Sequence, residues 1–470
     1  MSGPRFRHDD AGTPESEWLS SPRWEQCPVV DVARLLEDHD RLVVASAHPD
    51  DETLAVGGLI VDAAAAGVEV HVVVATAGEA SHPRSTVWTP QMLAGVRARE
   101  VEQAVALLAP EAHVTHLCHA DGGLAGSGAT LRSELTGALT SSTLLLAPWT
   151  DDGHPDHDAL GLAARDAAAE VGCALRHYPV WLWHWATPES APWSRMLALE
   201  PSAEALHRKR EALSRFVSQT SPLSPLPGDE PVVTTEVLAR AERLVEVLLC
   251  GATAGDGENR GEPDVPADMT TDPHTDPRDE QFDAMYADSA DPWRFEGSFY
   301  EHRKRALTLA VLGRPRYERV LEVGCATGKL TERLAERSNS LIGLDTSGRA
   351  LAVAALHTPS GTRWLQGTAP ADLPDGPFDL VVLSEIGYFL TPGELLATLR
   401  GVRERLAEDG EIVLVHWQHA TEDIPLDGVL VHEQAHHLLD LPVRASYADQ
   451  DVRIDVWGRP VSVAMEEGRL

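Results

Sequence analysis

An acidic stretch in the middle of the chain constrains its fold more than any other feature. Between Gly251 and Asp291 the sequence has twelve Asp or Glu residues, two Arg residues and four prolines. A segment of this composition cannot bury enough apolar surface to offset the chain entropy that is lost on folding. We therefore predict an acidic Pro/Gly linker over residues 251–280, with one domain over residues 1–250 and a second over residues 281–470.

Both flanking segments alternate strand-like and helix-like runs. The strand candidates are short apolar or β-branched runs, at residues 42–47, 68–75, 143–148, 319–323, 341–344, 378–383 and 411–416. Alternation of this kind predicts parallel sheets that are covered by helices on both faces. The predicted fold class is α/β, with two Rossmann-like doubly wound domains. In such folds the functional groups collect at the carboxyl ends of the strands.

Charge and cysteine content narrow the classes of function. The formal net charge is −34. Nucleic acids need Lys and Arg side chains arrayed against phosphates, so no nucleic acid partner is expected. No apolar run approaches the ~20 residues that a membrane span needs, and the polar start argues against a secretory signal. The five scattered cysteines form no C-x-x-C pair, which predicts reduced thiols and a cytoplasmic location.

Two clusters of acidic residues and histidines follow predicted strands of the N-terminal segment. Their sequences are A-H-P-D-D-E and H-P-D-H-D. His48 and Asp51 are three residues apart, as are His154 and His157, so each pair shares one side of a helical turn. Two imidazoles and one carboxylate around an open position describe a catalytic zinc site rather than a structural one. A lone H-P-D sequence is usually a turn, but two such clusters at strand ends indicate a shared site.

The side chains of these clusters suggest separate roles. We predict that His48, Asp51 and His157 bind zinc or another divalent metal ion. The metal would polarise an amide carbonyl and lower the pKa of a water bound to it. Asp50 would take the proton from that water. His154 would stabilise the oxyanion or protonate the leaving amine.

Two longer stretches carry a family resemblance. The chain resembles the two signatures of the PIG-L/LmbE deacetylases at residues 44–58, V-A-S-A-H-P-D-D-E-T-L-A-V-G-G, and at residues 148–159, P-W-T-D-D-G-H-P-D-H-D-A. Weaker matches follow, and the resemblance covers roughly residues 41–250. It implies a Rossmann-like fold that removes acetyl groups from N-acetylglucosamine units. It also implies the same three zinc ligands, the same base and the same assisting histidine.

Two features of this half have open interpretations. Arg97 is either a surface residue paired with Glu100 or, as the resemblance implies, a residue that binds substrate hydroxyls or phosphate. The tryptophans Trp181, Trp183 and Trp185 either line a sugar cleft or pack in the core.

A glycine-rich loop lies between a strand and a helix in the C-terminal half, with the sequence E-V-G-C-A-T-G-K. Its spacing, Gly324, Ala326 and Gly328, lacks the last glycine of the dinucleotide fingerprint. Glu322 precedes the loop. Asp345 ends the next strand, where a carboxylate can accept hydrogen bonds from both hydroxyls of a ribose. These residues predict a site for a nucleoside cofactor without phosphates, with a tight structural turn as the alternative.

The surrounding sequence resembles the nodulation methyltransferases (NodS-like) over roughly residues 281–460. The matching motifs are D-P-W, F-Y-E, R-K-R-A-L and S-E-I-G-Y. The resemblance implies a class I methyltransferase that uses S-adenosylmethionine to methylate the free amine of a deacetylated glucosamine. Glu385, Tyr388, His416 and His419 follow the fourth and fifth strands. We predict Glu385 and His416 as acid–base residues and Tyr388 as a substrate contact, although Glu385 could instead cap a helix and Tyr388 could belong to the core.

The two halves suggest consecutive reactions. Removal of an acetyl group yields a primary amine, and a methyltransferase of this type consumes one. We predict a bifunctional enzyme whose substrate is a small molecule or glycan with an N-acetylated amino sugar. Two alternatives remain, an O-methyltransferase in the second half or one domain that binds without catalysing. The extension over residues 1–40 has no predicted role.

Overall fold

The computed structural model describes residues 12–250, 277–288, 291–358, 361–419, 424, 426–459, 462–466 and 469. The chain divides into two compact units, residues 1–264 and 265–470. Most of the predicted linker lies outside the described residues, and its flexibility stays a prediction. The described part resumes with a helix that begins at Pro277, inside the range that we predict as linker.

Eight strands form the sheet of the N-terminal unit: β1 (Val29–Val30), β2 (Arg41–Ser46), β3 (Glu69–Thr76), β4 (His113–His119), β5 (Thr143–Pro148), β6 (Ala174–Tyr178), β7 (Met196–Leu199) and β8 (Glu246–Leu249). Their order is β1-β7-β8-β6-β5-β2-β3-β4. Strands β2 to β6 pair in parallel, and β8 is antiparallel to β6 and β7. The chain winds outward from β2 to β4 and then returns to β5. A crevice therefore forms between β2 and β5 at their carboxyl ends.

The helices of this unit cover both faces of the sheet. They are α1 (Glu15–Leu19), α2 (Val32–Leu36), α3 (Asp51–Ala65), α4 (Pro90–Leu108), α5 (Gly128–Thr136), α6 (Pro155–Val171), α7 (Leu182–Trp185), α8 (Ala203–Leu213), α9 (Val217–Thr220) and α10 (Thr235–Ala241). Side chains of β2 alternate between two apolar clusters. Leu42 and Val44 join α3, α4 and α8 on one face, and Val43 and Ala45 join α5 and α6 on the other. This alternation follows from the two-residue period of a strand.

The segment before β2 packs against the C-terminal strands of the same unit. Trp18 is fully buried, and its ring meets that of Trp183 edge to face at 5.0 Å. Glu15 accepts two hydrogen bonds of 2.6 Å from Arg243, whose guanidinium lies 4.2 Å from the centre of the Trp183 ring. Trp183 is thus a core residue, as is Trp181, which is 7% exposed. The core interpretation of these two tryptophans is therefore correct.

Seven strands form the sheet of the C-terminal unit: β9 (Tyr317–Val323), β10 (Ser338–Asp345), β11 (Thr362–Gln366), β12 (Phe378–Ser384), β13 (Leu406–Trp417), β14 (Val443–Ala448) and β15 (Val452–Gly458). Their order is β11-β10-β9-β12-β13-β15-β14. The strands from β11 to β13 are parallel, and β15 is antiparallel to both of its neighbours. The direction of winding reverses between β9 and β12, so this sheet also has a crevice at that point.

The described helices of this unit are α11 (Pro277–Asp288), α12 (Phe299–Val311), α13 (Lys329–Ala335), α14 (Gly348–His357), α15 (Pro392–Glu404), α16 (Gly428–Leu438) and α17 (Val463–Glu466). The predicted α/β class with two Rossmann-like domains is confirmed, although each sheet also contains antiparallel strands. Within the described parts of the chain, every helix is too short or too polar to cross a membrane.

Candidate active sites

The two histidine clusters of the N-terminal unit meet in the crevice between β2 and β5. α3 begins at Asp51, and α6 begins just after His154, so both clusters start a helix. The ring centres of His48 and His154 are 4.9 Å apart, and those of His154 and His157 are 5.0 Å apart. One nitrogen from each of the three histidines falls within a group whose atoms lie within 4.8 Å of one another. The structure therefore brings the predicted residues together.

Asp51 lies between two of the histidines. Its Oδ1 is 3.3 Å from Nε2 of His157, and its Oδ2 is 3.7 Å from Nδ1 of His48. The three predicted ligands thus present two nitrogens and a carboxylate to one small volume. This is the donor set of a catalytic zinc site.

A buried carboxylate orients His157. Oδ2 of Asp152 lies 2.8 Å from Nδ1 of His157, and the same carboxylate accepts hydrogen bonds from three successive backbone N–H groups, at residues 180–182. Nδ1 is therefore the donor, and Nε2 points towards Asp51. Sequence reasoning missed Asp152, which is nevertheless visible in the run T-D-D-G-H-P-D-H. Carboxylates that hold the distal nitrogen of a histidine ligand are a regular feature of metal sites.

The site favours a positive charge at His157. Its Nε2 is buried and makes no hydrogen bond within the described residues. Burial lowers the pKa of His157, but the charge of Asp51 and the hydrogen bond to Asp152 outweigh it and raise the pKa to about 9. A divalent cation would supply the charge that these carboxylates favour. The residues present thus fit a metal ion.

His48 is held by carboxylates on its other side. Its Nε2 lies 3.2 Å from Oδ1 of Asp121 and 3.5 Å from Oδ2 of Asp156. Burial lowers the pKa of His48, but hydrogen bonds to these two residues and to Asp51 raise it well above its usual value. The arrangement leaves Nδ1 as the nitrogen that faces Asp51.

Asp50 sits next to this group in a strained backbone conformation. Its φ of 145° lies in a region that residues other than glycine rarely adopt. Burial raises the pKa of Asp50 to about 7, although the charge of Arg97 opposes this shift. A carboxyl group with such a pKa can take up and release a proton near neutrality.

Arg97 is buried and binds the loop that carries Asp50. Its Nη2 donates to Oδ2 of Asp50 at 2.9 Å and to the Pro49 carbonyl at 3.0 Å, and its Nη1 donates to the Gly78 carbonyl at 2.9 Å. The surface-pair interpretation is therefore wrong. Glu100 instead accepts hydrogen bonds from the backbone and side chain of another residue, Ser218. Arg97 positions Asp50, and its predicted contact with substrate stays a prediction.

The C-terminal unit encloses a cavity of about 530 Å³ at its crevice. Four of the five predicted cofactor residues line it, namely Glu322, Gly324, Ala326 and Asp345. Gly328 does not line it, and its predicted role in cofactor binding stays a prediction. A Cβ at this position would lie 2.8 Å from Cβ of Ala354, and its φ is 75°. Gly328 therefore lets the loop turn and lets α13 approach α14 closely.

The glycine-rich loop is tied to the end of β10. The backbone N–H of Ala326 donates to Oδ2 of Asp345 at 2.7 Å, and that of Ser347 donates to Oδ1 at 2.9 Å. Ala326 adopts a φ of 46°, in the left-handed region. The carboxylate of Asp345 is thus fixed at the cavity wall, and its remaining lone pairs suit ribose hydroxyls.

Glu322 has an unsatisfied oxygen at the cavity. The residue is 2% exposed, and its Oε2 makes no hydrogen bond within the described residues. Burial raises the pKa of Glu322 to about 8, although the neighbouring Thr331 hydroxyl opposes this shift. A buried carboxylate oxygen without a partner is costly, so the site suits a ligand with a cationic amino group. S-adenosylmethionine carries such a group.

A second polar group lines the same cavity and contains both predicted residues Glu385 and Tyr388. Sequence reasoning missed two further members, Tyr300 and Lys304, because a Tyr and a Lys on an amphipathic helix resemble ordinary surface residues. Nζ of Lys304 donates to Oε1 of Glu385 at 2.8 Å, and the Tyr300 hydroxyl lies 3.5 Å from the same oxygen. The Tyr388 hydroxyl and the backbone N–H of Trp417 donate to the other oxygen.

These four donors nearly fill the hydrogen-bonding capacity of Glu385, since a carboxylate accepts about four hydrogen bonds. The residue also has a φ of 59°, which aims its side chain away from the regular strand direction. Glu385 therefore lies where the sequence predicts it, but its geometry suits the anchoring of donors better than the acceptance of a proton.

His416 lies behind the cavity wall and is fully buried. Its Nε2 accepts the backbone N–H of Gly387 at 3.0 Å, and its Nδ1 lies 3.1 Å from Nε2 of His432. His432 in turn bonds Asp455 at 2.7 Å. Burial lowers the pKa of His416 well below its usual value. Since both ring nitrogens are occupied, the predicted acid–base role of His416 is corrected to one of holding the turn that carries Tyr388.

Two family models match the chain. Residues 43–168 match the family described as GlcNAc-PI de-N-acetylase (PIG-L), and residues 278–421 match Nodulation protein S (NodS). The first range falls inside residues 41–250, and the second begins three residues before the segment 281–460 and ends within it.

Individual relatives match one half each. A 1D-myo-inositol 2-acetamido-2-deoxy-alpha-D-glucopyranoside deacetylase from Rhodococcus jostii is 31% identical over 165 residues, which is 30% of this chain and 56% of the relative. A Nodulation protein S from Azorhizobium caulinodans is 32% identical over 130 residues, which is 27% of this chain and 62% of the relative. The chain thus spans less than two thirds of the length of these curated relatives.

A solved structure of the N-methyltransferase NodS from Bradyrhizobium japonicum WM9 with S-adenosyl-L-homocysteine is 23% identical. It covers 39% of this chain and 99% of its own, with a TM-score of 0.35. An N,N'-diacetylchitobiose deacetylase from Pyrococcus horikoshii is 20% identical. It covers 45% of this chain and 82% of its own, with a TM-score of 0.34.

Proposed function

We propose that the chain, whose two halves match the PIG-L and NodS family models, removes the acetyl group from an N-acetylated amino sugar and then methylates the freed amine. The observation that carries the first step is the meeting of His48, Asp51, His154 and His157 around one small volume beside the buried Asp50. The proposed substrate has a 2-acetamido sugar of the N-acetylglucosamine type.

In the first step, water adds to the amide carbon and the C–N bond breaks, which gives acetate and a primary amine. Zinc supplies Lewis acidity to the amide carbonyl and to the water when it is bound. His48, Asp51 and His157 would hold the ion. Asp50 takes a proton from the water, and Arg97 keeps its carboxylate aimed at the site. His154 protonates the departing nitrogen or stabilises the oxyanion.

In the second step, S-adenosylmethionine supplies an electrophilic methyl group when it is bound. Glu322 would hold its amino group, and Asp345 would accept hydrogen bonds from its ribose. The hydroxyls of Tyr300 and Tyr388 donate their hydrogen bonds to Glu385, so only their oxygen lone pairs face the acceptor substrate. Burial raises the pKa of both phenols, which keeps these protons in place. The oxygens can then accept N–H groups and orient an amine.

The two reactions are chemically consecutive, since the product of the first has the functional group that the second consumes. The curated deacetylase relative is named for a 2-acetamido sugar, which supports an amine as the product of the first step. A covalent connection raises the effective concentration of one domain near the other.

Mass spectrometry of N-acetylglucosaminides tests the proposal. The zinc-loaded full chain is incubated with and without S-adenosylmethionine. We expect loss of acetyl in both samples and gain of one methyl group only when S-adenosylmethionine is present. A deacetylated glucosaminide supplied directly should be methylated, whereas its acetylated parent should not be methylated by a chain whose metal is removed.

Two outcomes would contradict parts of the proposal. Methylation of the acetylated sugar by the metal-free chain would place the methyl group on oxygen. Failure of the chain to bind S-adenosylmethionine in calorimetry would make the second domain a non-catalytic module. In either case the deacetylase step is judged separately by the release of acetate.

A further inference from the structure

A buried ammonium group lies between two carboxylates in the C-terminal cavity. Nζ of Lys304 is 2.8 Å from Oε1 of Glu301 and 2.8 Å from Oε1 of Glu385. The Lys304 side chain is only 5% exposed, and all three residues line the cavity. Glu301 and Lys304 lie one turn apart on α12, and Glu385 follows β12 across the crevice.

The charges around this group balance. Nη1 of Arg305 lies 3.5 Å from Oε2 of Glu301, so two carboxylates face two cations. Three other titratable neighbours among the described residues are uncharged. The Tyr300 and Tyr388 hydroxyls keep their protons because burial raises their pKa values. His416 is neutral because burial lowers its pKa, and the charge of Lys304 lowers that pKa further.

The described residues around the Tyr300 and Tyr388 oxygens, where the acceptor amine is proposed to bind, therefore balance their charges and leave no unpaired carboxylate for a second cation. A further acidic side chain that influences Tyr300 is Asp451, which lies 3.0 Å from the exposed His419. A cation brought to the Tyr300 and Tyr388 oxygens would lose its hydration without an unpaired carboxylate to offset the loss, because the Lys304 ammonium already occupies Glu301 and Glu385. In a site with a low local dielectric, this cost is large.

Transfer of a methyl group to nitrogen requires an unprotonated amine, which such a site favours. The nitrogen lone pair forms the new C–N bond, and the C–S bond breaks with its electron pair left on sulfur. An ammonium has no lone pair to donate, so the substrate must lose its proton to water before it reacts. The immediate product is a secondary ammonium, which is cationic and must leave.

We propose that the Lys304 ammonium makes this cavity select the neutral amine over its protonated form and promotes release of the cationic product. The inference rests on the proposed N-methylation. It makes Lys304 a specificity-determining residue, and it explains why Glu385 is saturated with donors. Glu385 holds the cation and the two phenols in place, and the reaction needs no protein base.

Binding to the unaltered chain gives the first test. A glucosaminide is titrated into the full chain in the presence of S-adenosylhomocysteine, at one pH unit below and one above the pKa of the free amine. Selection of the neutral form predicts binding that is about tenfold weaker at the lower pH, because the neutral fraction falls about tenfold. Equal or tighter binding at the lower pH would overturn the inference.

Substitution of the lysine gives the second test. In Lys304→Met, the limb of the kcat–pH profile that reports the bound amine should move to higher pH by about one unit or more, and inhibition by the N-methylated product should tighten. Lys304→Arg keeps the charge and should keep the wild-type profile. Lys329→Met is the matched control, because Lys329 lines the same cavity but pairs with the exposed Glu296.

The outcomes separate this inference from the proposed function. An equal loss of kcat at every pH in Lys304→Met, with S-adenosylhomocysteine binding retained, would mean that Lys304 only supports the structure. A wild-type chain that methylates no amine at any pH would refute the proposed function itself. If the wild-type chain methylates amines and Lys304→Met has the same kcat–pH profile as the wild type, the inference alone is refuted.

Discussion

In the N-terminal unit, the site between β2 and β5 consists of charged groups within a few ångströms of one another, whereas the C-terminal site between β9 and β12 encloses a cavity of about 530 Å³. Both lie where the winding of a parallel sheet reverses. In the first, the carboxylates lie beside histidines and favour a bound cation. In the second, Glu322 has an oxygen without a partner among the described residues, and the charges of Lys304 and Arg305 balance those of Glu301 and Glu385. The same fold therefore supports one site whose charges suit a metal ion and another whose cavity suits an organic ligand.

The largest expected effect comes from removing a predicted metal ligand. Asp51→Asn should lower deacetylation by about a thousandfold or more, because metal binding and the charge balance of His157 are both lost. Binding of S-adenosylmethionine should not change. Bound metal is measured by elemental analysis after dialysis, with His207→Gln on the exposed side of α8 as the control. Full metal content in Asp51→Asn would contradict the ligand assignment.

A smaller effect with a pH dependence is expected at Glu322. Its pKa is raised from 4.5 to about 8 in the folded chain, so the folded state binds more protons than the unfolded state between these values. The free energy of unfolding should therefore fall by roughly 2–4 kcal/mol as the pH rises from about 5 to 8. Glu322→Gln should remove this decline for the C-terminal unit in the absence of ligand.

Denaturant unfolding at several pH values, followed through the C-terminal unit, measures the effect. Glu318→Gln, in the same strand, is a suitable control because Glu318 is exposed. If Glu322→Gln and the unaltered chain show the same decline, the carboxyl group is already ionised in the folded protein. The contrast between the two sites would then weaken.

The next effect concerns a residue that touches neither substrate nor metal. Asp152→Asn should lower metal affinity by about 10- to 100-fold, because the amide can no longer accept all four donors or fix the His157 ring as firmly. The neighbouring Asp151→Asn is the control. Metal affinity is measured by competition with a chelator. An unchanged affinity would show that the three ligands suffice without the supporting carboxylate.

The smallest effect on ligand binding is expected at Gly328. Gly328→Ala places a Cβ in a strained conformation 2.8 Å from Ala354, and it should destabilise the C-terminal unit by about 1–2 kcal/mol. Affinity for S-adenosylmethionine should change less than threefold, a rough bound for a residue outside the cavity. A larger loss of affinity would indicate that Gly328 contributes to cofactor binding.

The sequence predicts those parts of the molecule whose signals are local. The fold class follows from alternating strand and helix runs, and the meeting of His48 with His157 follows from their positions at the ends of adjacent parallel strands. The role of Asp152 depends on three backbone N–H groups almost thirty residues away, which no spacing reveals. The burial of Lys304 likewise depends on Glu385 reaching across the crevice.

His416 illustrates a different limit. A histidine at the end of a strand in such a fold is a reasonable acid–base candidate, but the sequence does not show which way its ring faces. The partner that settles this is His432, on a later helix. Long-range partners of this kind decide whether a polar residue serves the reaction or the fold.

The packing of Trp18 and Glu15 bears on where the N-terminal unit can be cut for isolated expression. The family match begins at residue 43, but Trp18 is fully buried against Trp183, and Glu15 pairs with Arg243. A fragment that starts at the family boundary would expose an aromatic surface and leave a buried arginine without its counter-ion. Recombinant versions of the first domain should therefore begin before Glu15 if they are to keep these contacts.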